Sequence, residues 1–198
     1  MTVQSGFVWP PDFKNWAGKS GVADAAVARI ASLCLQKRVA VQAGGCSGLW
    51  PITLAQHFGH VYTFEPALTN FECLRQNIAG VPNISAFNHA LSDTRRLVGL
   101  TRSKPRAGMW QVDGPGDIQA VTLDEFLGDI VMDALVLDIE GSEWAAWRGA
   151  ERLIKTCRPV LWYEFNRNEA ALEKWLAEHG YSRPQAGIGR DKFSVYTG

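Results

Sequence analysis

Paired cysteines are missing from this sequence. Its four cysteines, Cys34, Cys46, Cys73 and Cys157, lie far apart with no CxxC pair and no histidine at ligand spacing from them. That excludes a cysteine-based zinc site and a disulfide framework, and the four read as reduced, mostly buried thiols. Net charge is missing as well. Twenty basic residues balance twenty acidic ones, so no global field draws the chain to nucleic acid or to an anionic membrane. No apolar run reaches the ~18 residues of a membrane span, and the opening "MTVQSGFVWPPDF" lacks a basic start followed by a long apolar stretch. The expected location is therefore the cytoplasm, with no membrane partner. Internal repeats, a GxGxxG fingerprint and a GK[ST] phosphate loop are also absent, which weakens dinucleotide and nucleotide-triphosphate readings.

What is present suits one domain over 1–198: the chain has 198 residues, 46% of them hydrophobic, enough for one full core. Eight tryptophans exceed what such a core needs. Most are expected to pack or to sit half-buried, and the remainder to line an acceptor pocket. An N-terminal extension and helix (1–38) comes first. "GVADAAVARIASLCLQ" has helical apolar spacing and is predicted to end at Lys37-Arg38, charges that suit a helix C-terminus. The α/β core (39–198) follows. "VAVQA" (39–43), "VYTFE" (61–65) and "ISAFNHA" (84–90) read as strands separated by helices, the first helix opened by Pro51.

A basic, glycine-rich stretch at 93–117 predicts a small hairpin or a loop. Regular structure then resumes with a capping box from Thr122 to Glu125, a central strand "ALVLDIE" (134–140) and a helix capped by Ser142. A strand "PVLWYEF" (159–165) comes next, then a helix between Asn168 as cap and Gly180 as stop, and a closing antiparallel hairpin. The fold expected is a doubly wound α/β sheet of about seven mostly parallel strands.

In such sheets ligands bind outside the carboxyl ends of the strands. Those ends carry Gln42, Glu65, the Asn88-His89 pair, Asp138 with Glu140, and Glu164. Single strand-end acids often just face the next helix N-terminus, for about 0.3–1 kcal/mol each, but four along one edge point to a shared ligand site. The turn "GGCSG" (44–48) lets backbone pass close to a ligand. Glu65, about 20 residues further on, stands where such domains place an acid on ribose hydroxyls. Together they indicate a nucleoside ligand.

The order "VAVQAGGCSGLW", "VYTFEPALTNFECLRQN", "NHALSD", "VTLDEFL", "LVLDIEGSEWAAWRGAERLI", "RPVLWYEFN" resembles the FkbM-type S-adenosylmethionine-dependent methyltransferases over about residues 39–166. "FEP" followed by "NF", and "DIEGSE" followed by "RGA", are its most specific parts. The resemblance implies a class I methyltransferase fold and methyl transfer from S-adenosylmethionine, usually to a hydroxyl of a sugar or small metabolite. It implies Gly44, Gly45 and Gly48, with Gln42, around the methionine part of the cofactor, Glu65 on the ribose and Ala90-Leu91 near adenine. It also places Asp138, Glu140 and Glu143 beside the methyl group.

The chain departs from the pattern at Gln42, where the family has an acid, and at Cys46, where it usually has Asn. A neutral amide in place of a charged partner for the cofactor's ammonium costs about 1–2 kcal/mol, roughly tenfold in affinity. Candidate bases are Asp138, Glu140, Glu164 and His89, with Asp138 first. No metal site is assigned; a divalent cation on Asp138, Glu140 and Glu164 is the alternative for that cluster. His57, His60 and His179 are expected in solvent. The acceptor expected is a small molecule or glycan, with Trp162, Tyr163 and Asn166 beside it. Arg95, Arg96, Arg102, Lys104 and Arg106 near Trp110 keep a nucleic acid or modified nucleotide as the alternative. A non-catalytic nucleoside-binding or partner-binding module of the same fold is the other alternative. The sequence sets no oligomeric state.

Overall fold

A computed structural model describes residues 1–4, 6–11, 19–102, 109–164 and 169–198. Strands β1 (Thr2–Gln4) and β2 (Phe7–Trp9) form an N-terminal hairpin. Then come α1 (Lys19–Leu33), β3 (Val39–Ala43), α2 (Leu49–Ala55), β4 (His60–Phe64), α3 (Leu68–Asn77) and β5 (Ile84–Phe87). The middle of the chain supplies β6 (Ala90–Leu91), β7 (Arg96–Val98), β8 (Leu100–Arg102), β9 (Trp110–Val112), β10 (Ile118–Val121) and the short helix α4 (Leu123–Phe126). The rest is β11 (Ala134–Leu137), α5 (Glu143–Arg148), α6 (Glu151–Cys157), β12 (Val160–Glu164), α7 (Glu169–Glu178), β13 (Gln185–Ala186) and β14 (Asp191–Ser194).

Seven of these strands make the main sheet, in the order β13-β14-β12-β11-β3-β4-β5. β12, β11, β3, β4 and β5 run parallel, and β14 and β13 close one side antiparallel. The chain winds outward from β3 to β5, then returns to lay β11 on the other flank of β3. That reversal makes the carboxyl ends of β3 and β11 the switch point of the sheet, the place where doubly wound sheets hold ligands.

Alternation along each strand sorts the core into two layers. Val41, Ala43, Phe64, Leu135, Leu137, Leu161 and Tyr163 pack against Trp147, Leu153, Leu172 and Trp175. On the other face Ala40, Val61, Val136, Val160 and Trp162 meet Ala26, Val27 and Ile30 of α1 and Leu54 of α2. α1 fits there because Ala23, Ala26, Val27, Ile30 and Ala31 fall on one stripe and are all buried.

The helix stops at Leu33, short of the Lys37-Arg38 end that the sequence predicts. The start of β3, in turn, is fixed by a residue 95 positions from Arg38. Asp133, just before β11, accepts hydrogen bonds from the backbone N–H of Arg38 (2.7 Å) and Val39 (3.2 Å) and pairs with the Arg38 guanidinium (2.5 Å). One carboxylate thus starts two central strands side by side. Two more expectations change: β5 ends at Phe87, with Ala90-Leu91 leaving for a separate three-stranded sheet β6-β10-β7, and His60 lies on β4, bonded to Ser85 Oγ (2.9 Å). His179, expected in solvent, is buried: it stacks on Trp175 and reaches Glu151 Oε1 at 3.2 Å. His57 is exposed.

Within the basic stretch β7 joins β10, and β8 and β9 pair as an antiparallel two-stranded unit. Gly99 and Gly116 close its base so tightly that a Cβ on Gly116 would lie 2.5 Å from the Gly99 Cα. Lys104 and Arg106 fall outside the described residues, as do Asn166 and the expected cap Asn168. Thr122 caps α4, accepting from the Glu125 N–H, whereas Ser142 makes no side-chain cap bond.

Burial works against ionisation of Asp133, but the Arg38 guanidinium and the two backbone N–H groups outweigh it and hold its carboxyl below the usual range. A depressed carboxylate stabilises the fold above its unfolded pKa, about 3.9, and that contribution is lost as pH falls through the folded value. Asp133→Ala is expected to cost about 2–3 kcal/mol in urea unfolding at pH 7, with the gap to the unsubstituted protein narrowing below pH 4.

Candidate active site

At the switch point the two strand ends approach closely. Gly44 leaves β3 with φ 86°, and a Cβ there would stand 1.9 Å from the Asp138 carbonyl oxygen. Only glycine fits. Gly45 lies against Thr63 and Leu74, and Gly48 (φ 103°) against Leu74 and Ile78. Much of the turn's own hydrogen bonding is internal: Gly44 and Gly45 donate to the Phe64 carbonyl, Gly48 to that of Gly45, and Cys46 to Glu65 Oε2 at 2.7 Å. Cys46 itself has φ 46°, a left-handed conformation that Asn adopts more readily.

Glu65 follows β4, is 4% exposed and is anchored at both oxygens, since Oε1 accepts from the Ala67 N–H at 2.8 Å. Burial raises its pKa to about 7, against the lowering by the Ala67, Cys46 and Asn70 hydrogen bonds. It therefore clamps the glycine turn to the next helix from the carboxyl end of β4, one strand away from β3. Asn88 braces the same corner, donating to the carbonyls of Glu65 and Pro66. Ala90 and Leu91 follow directly, both buried.

Asp138 continues the alternation of β11, and its N–H donates to the Ala43 carbonyl. By that alternation it shares a sheet face with Gln42, Thr63, Glu164 and Asp191. Carboxylate oxygens of Asp138, Glu140 and Glu164 all lie within 4.8 Å of one another, which brings together three of the four candidate bases. Burial, then the charges of Glu164, Glu140, Asp191 and Glu143, push the Asp138 carboxyl up to about 8. Three oxygen donors this close also have the spacing for a hard divalent cation.

Glu143 turns away from that row: its Oε1 accepts from the N–H groups of Ile139 (3.1 Å) and Gly141 (3.3 Å), closing the turn in which Glu140 has φ 53°. His89 is not brought to the acids either. It packs edge-on to Phe126, 5.2 Å between ring centroids, and burial followed by the Arg95 charge lowers its pKa. Trp162 and Tyr163 are both core residues, the first stacked on Phe193, the second bonded to Ser194.

Asp191 is the acid that sequence reasoning missed. It opens β14 opposite Glu164 and accepts from Trp162 Nε1 at 2.8 Å. Because β14 is antiparallel, its first residue meets the carboxyl ends of its neighbours, so a survey of parallel strand ends passes over it.

Gln42 is wholly buried; its Oε1 accepts from Thr63 Oγ1 at 2.5 Å and its Nε2 has no partner. A buried unpaired amide donor beneath a glycine turn, an anchored acid at the next strand and a row of carboxylates fit a ligand with polar, nucleoside and cationic parts. The methyltransferase FkbM domain matches residues 44–183. The chain belongs to the FkbM methyltransferase family.

Its fold recurs in solved structures at low identity. The FkbM methyltransferase of Methylobacillus flagellatus KT superposes with a TM-score of 0.59 at 17% identity, covering 81% of this chain and 44% of that one. This FkbM domain therefore spans less than half of that relative. Magnesium protoporphyrin IX methyltransferase of Synechocystis PCC 6803, solved with S-adenosylmethionine bound, gives 0.55 at 16% identity over 91% of this chain and 80% of the other. An rRNA methylase of Streptococcus thermophilus gives 0.55 at 12% identity over 87% and 94%. No curated protein sequence matches the chain. Among the described residues no helix is long and apolar enough to cross a membrane.

The raised pKa of Asp138 makes its charge a burden on this FkbM fold. The folded state keeps a proton that the unfolded state has released, so stability falls as pH rises from the ordinary carboxylate range to about 8. Asp138→Asn is expected to unfold at higher temperature than the unsubstituted protein. The margin should grow between pH 5 and 8, to on the order of 2 kcal/mol, and differential scanning calorimetry across that range reads it.

Proposed function

We propose that this domain is an S-adenosylmethionine-dependent methyltransferase acting on a hydroxyl oxygen of a sugar or small metabolite, with Asp138 as general base. The observation that carries the reading is Asp138 itself: a carboxylate at the reversal point of the sheet, beside the glycine turn, with its pKa near 8. A base is most effective when its pKa lies near the working pH. The cofactor, when bound, supplies an electrophilic methyl group.

The chain's own residues do the rest. Gly44, Gly45 and Gly48 bring backbone close to the cofactor's methionine end, with Gln42 beneath them. Glu65 holds the ribose hydroxyls, and Ala90-Leu91 borders the adenine. Glu140 and Glu164 orient the acceptor hydroxyl so that Asp138 takes its proton as the oxygen attacks. Alignment of this kind is worth about 7–11 kcal/mol, and the base a further 10²–10⁴-fold or so. His89, neutral and packed on Phe126, takes no part in that transfer.

One observation favours a nucleic-acid acceptor as a second reading: on the exposed β8–β9 hairpin the Arg102 guanidinium lies 4.2 Å from the centroid of the Trp110 ring, an arrangement that also suits a stacked base. Against it, Arg96 and Arg148 are engaged by Asp93. We place the domain in the cytoplasm, working as one unit over 1–198, in keeping with its four free thiols.

Titration calorimetry with S-adenosylmethionine and S-adenosylhomocysteine is expected to give micromolar affinities, and no binding up to millimolar would refute the methyltransferase reading. Glu65→Gln, which removes the charge and leaves one acceptor oxygen for the two backbone N–H groups that Glu65 holds, should weaken both ligands by about tenfold or more. Affinity that depends on added magnesium would assign the converging carboxylates to a cation. With an acceptor found by screening sugars, metabolites and nucleotides, kcat/KM should rise with pH and level off above about 8. Asp138→Asn should abolish that rise and lower kcat by about 10²–10⁴-fold.

A further inference from the structure

The glycine turn has a neighbour that the catalytic reading leaves unused. Asn77 ends α3, and its side chain makes three hydrogen bonds. Oδ1 accepts the Val8 N–H at 2.8 Å, while Nδ2 donates to the Val8 carbonyl at 2.8 Å and to the Ser47 carbonyl at 2.7 Å. The partners fix which way the amide faces, since the opposite orientation would set its oxygen against two carbonyls.

Each end of this link needs it. β1 and β2 have three residues apiece, and an isolated two-stranded hairpin of that size is marginal at best in water. Asn77 pairs both backbone groups of Val8 as a neighbouring strand would, and Trp9, 8% exposed, buries alongside. At the other end, Ser47 lies between Cys46 (φ 46°) and Gly48 (φ 103°). Such a backbone depends on which way the intervening peptide groups point, and the Nδ2 bond fixes the Ser47 carbonyl.

We propose that Asn77 is a positioning residue for the cofactor turn, coupling the docked N-terminal hairpin to the shape of residues 44–48 so that hairpin docking and ligand binding strengthen each other. The inference rests on reading that turn as the cofactor's seat. Coupling of this kind is reciprocal: what tightens the turn must also tighten the hairpin.

The test is titration with S-adenosylhomocysteine of the full chain in four forms: unsubstituted, Trp9→Ala, Asn77→Ala and the double variant. Each single substitution is expected to weaken binding about 5–10-fold, and the double variant no more than about twofold beyond Asn77→Ala alone, because the hairpin acts through that amide. Additive losses, or none from Trp9→Ala, overturn the proposal; a merely structural Asn77 gives additivity.

Amide exchange on the unsubstituted chain covers the case of a variant that does not fold. S-adenosylhomocysteine should slow exchange at Val8 together with Gly48, and protection of Gly48 without Val8 overturns the coupling. If the unsubstituted chain does not bind this ligand, the methyltransferase reading falls instead. The coupling then stands if Trp9→Ala speeds exchange at Gly48, and falls if Gly48 is unaffected.

Discussion

The approach of β3 to β11 at their carboxyl ends is the constraint from which the site follows. A Cβ on Gly44 would stand 1.9 Å from the Asp138 carbonyl, so the two strands can end together only where one of them has no side chain. The absent side chain lets Asp138 sit at the reversal of the sheet, in line with Glu164 and Asp191 on the neighbouring strands. Asp133 secures the same pair of strands at their other ends. Two aspartates five residues apart on one segment thus act at opposite ends of β11, the first held ionised by its partners and the second held protonated by its surroundings.

That contrast is electrostatic rather than chemical. Asp133 has a guanidinium and two N–H groups to offset its desolvation, whereas Asp138 has burial and four more carboxylates around it. Carboxylates crowded together share protons until a cation arrives. The fold therefore carries a standing electrostatic cost at this edge, of the sort that binding sites carry and that ligand binding relieves.

Strand ends were legible in the sequence because alternation is local: Gln42, Glu65, Asp138 and Glu164 could be placed by counting along apolar runs, and the parallel order followed from the alternation of strands with helices. What escaped depends on partners far along the chain. The start of β3 is set by Asp133, the inward turn of Glu143 by the N–H groups of Ile139 and Gly141, and the site of Asp191 by the antiparallel register of β14. His179 looked like a solvent-facing residue after a helix, and its side chain is covered instead by Trp175 one turn back and by Glu151 at the start of α6. Asn77 reads as an ordinary polar helix end until β2 is seen beside it.

The base of the β8–β9 hairpin bears on how such a domain can change. Gly99 and Gly116 are pressed together, and the Gly99 N–H and carbonyl bond to Gly114 and Asp113. The segment between them, 100–115, has its ends already joined. Closing a longer loop costs only as the logarithm of its length, so tripling the hairpin would cost about 1 kcal/mol of chain entropy. The seven-stranded sheet lies outside that loop and is indifferent to its length. Residues can therefore be added at this hairpin while the carboxylates at the ends of β11 and β12 stay where they are.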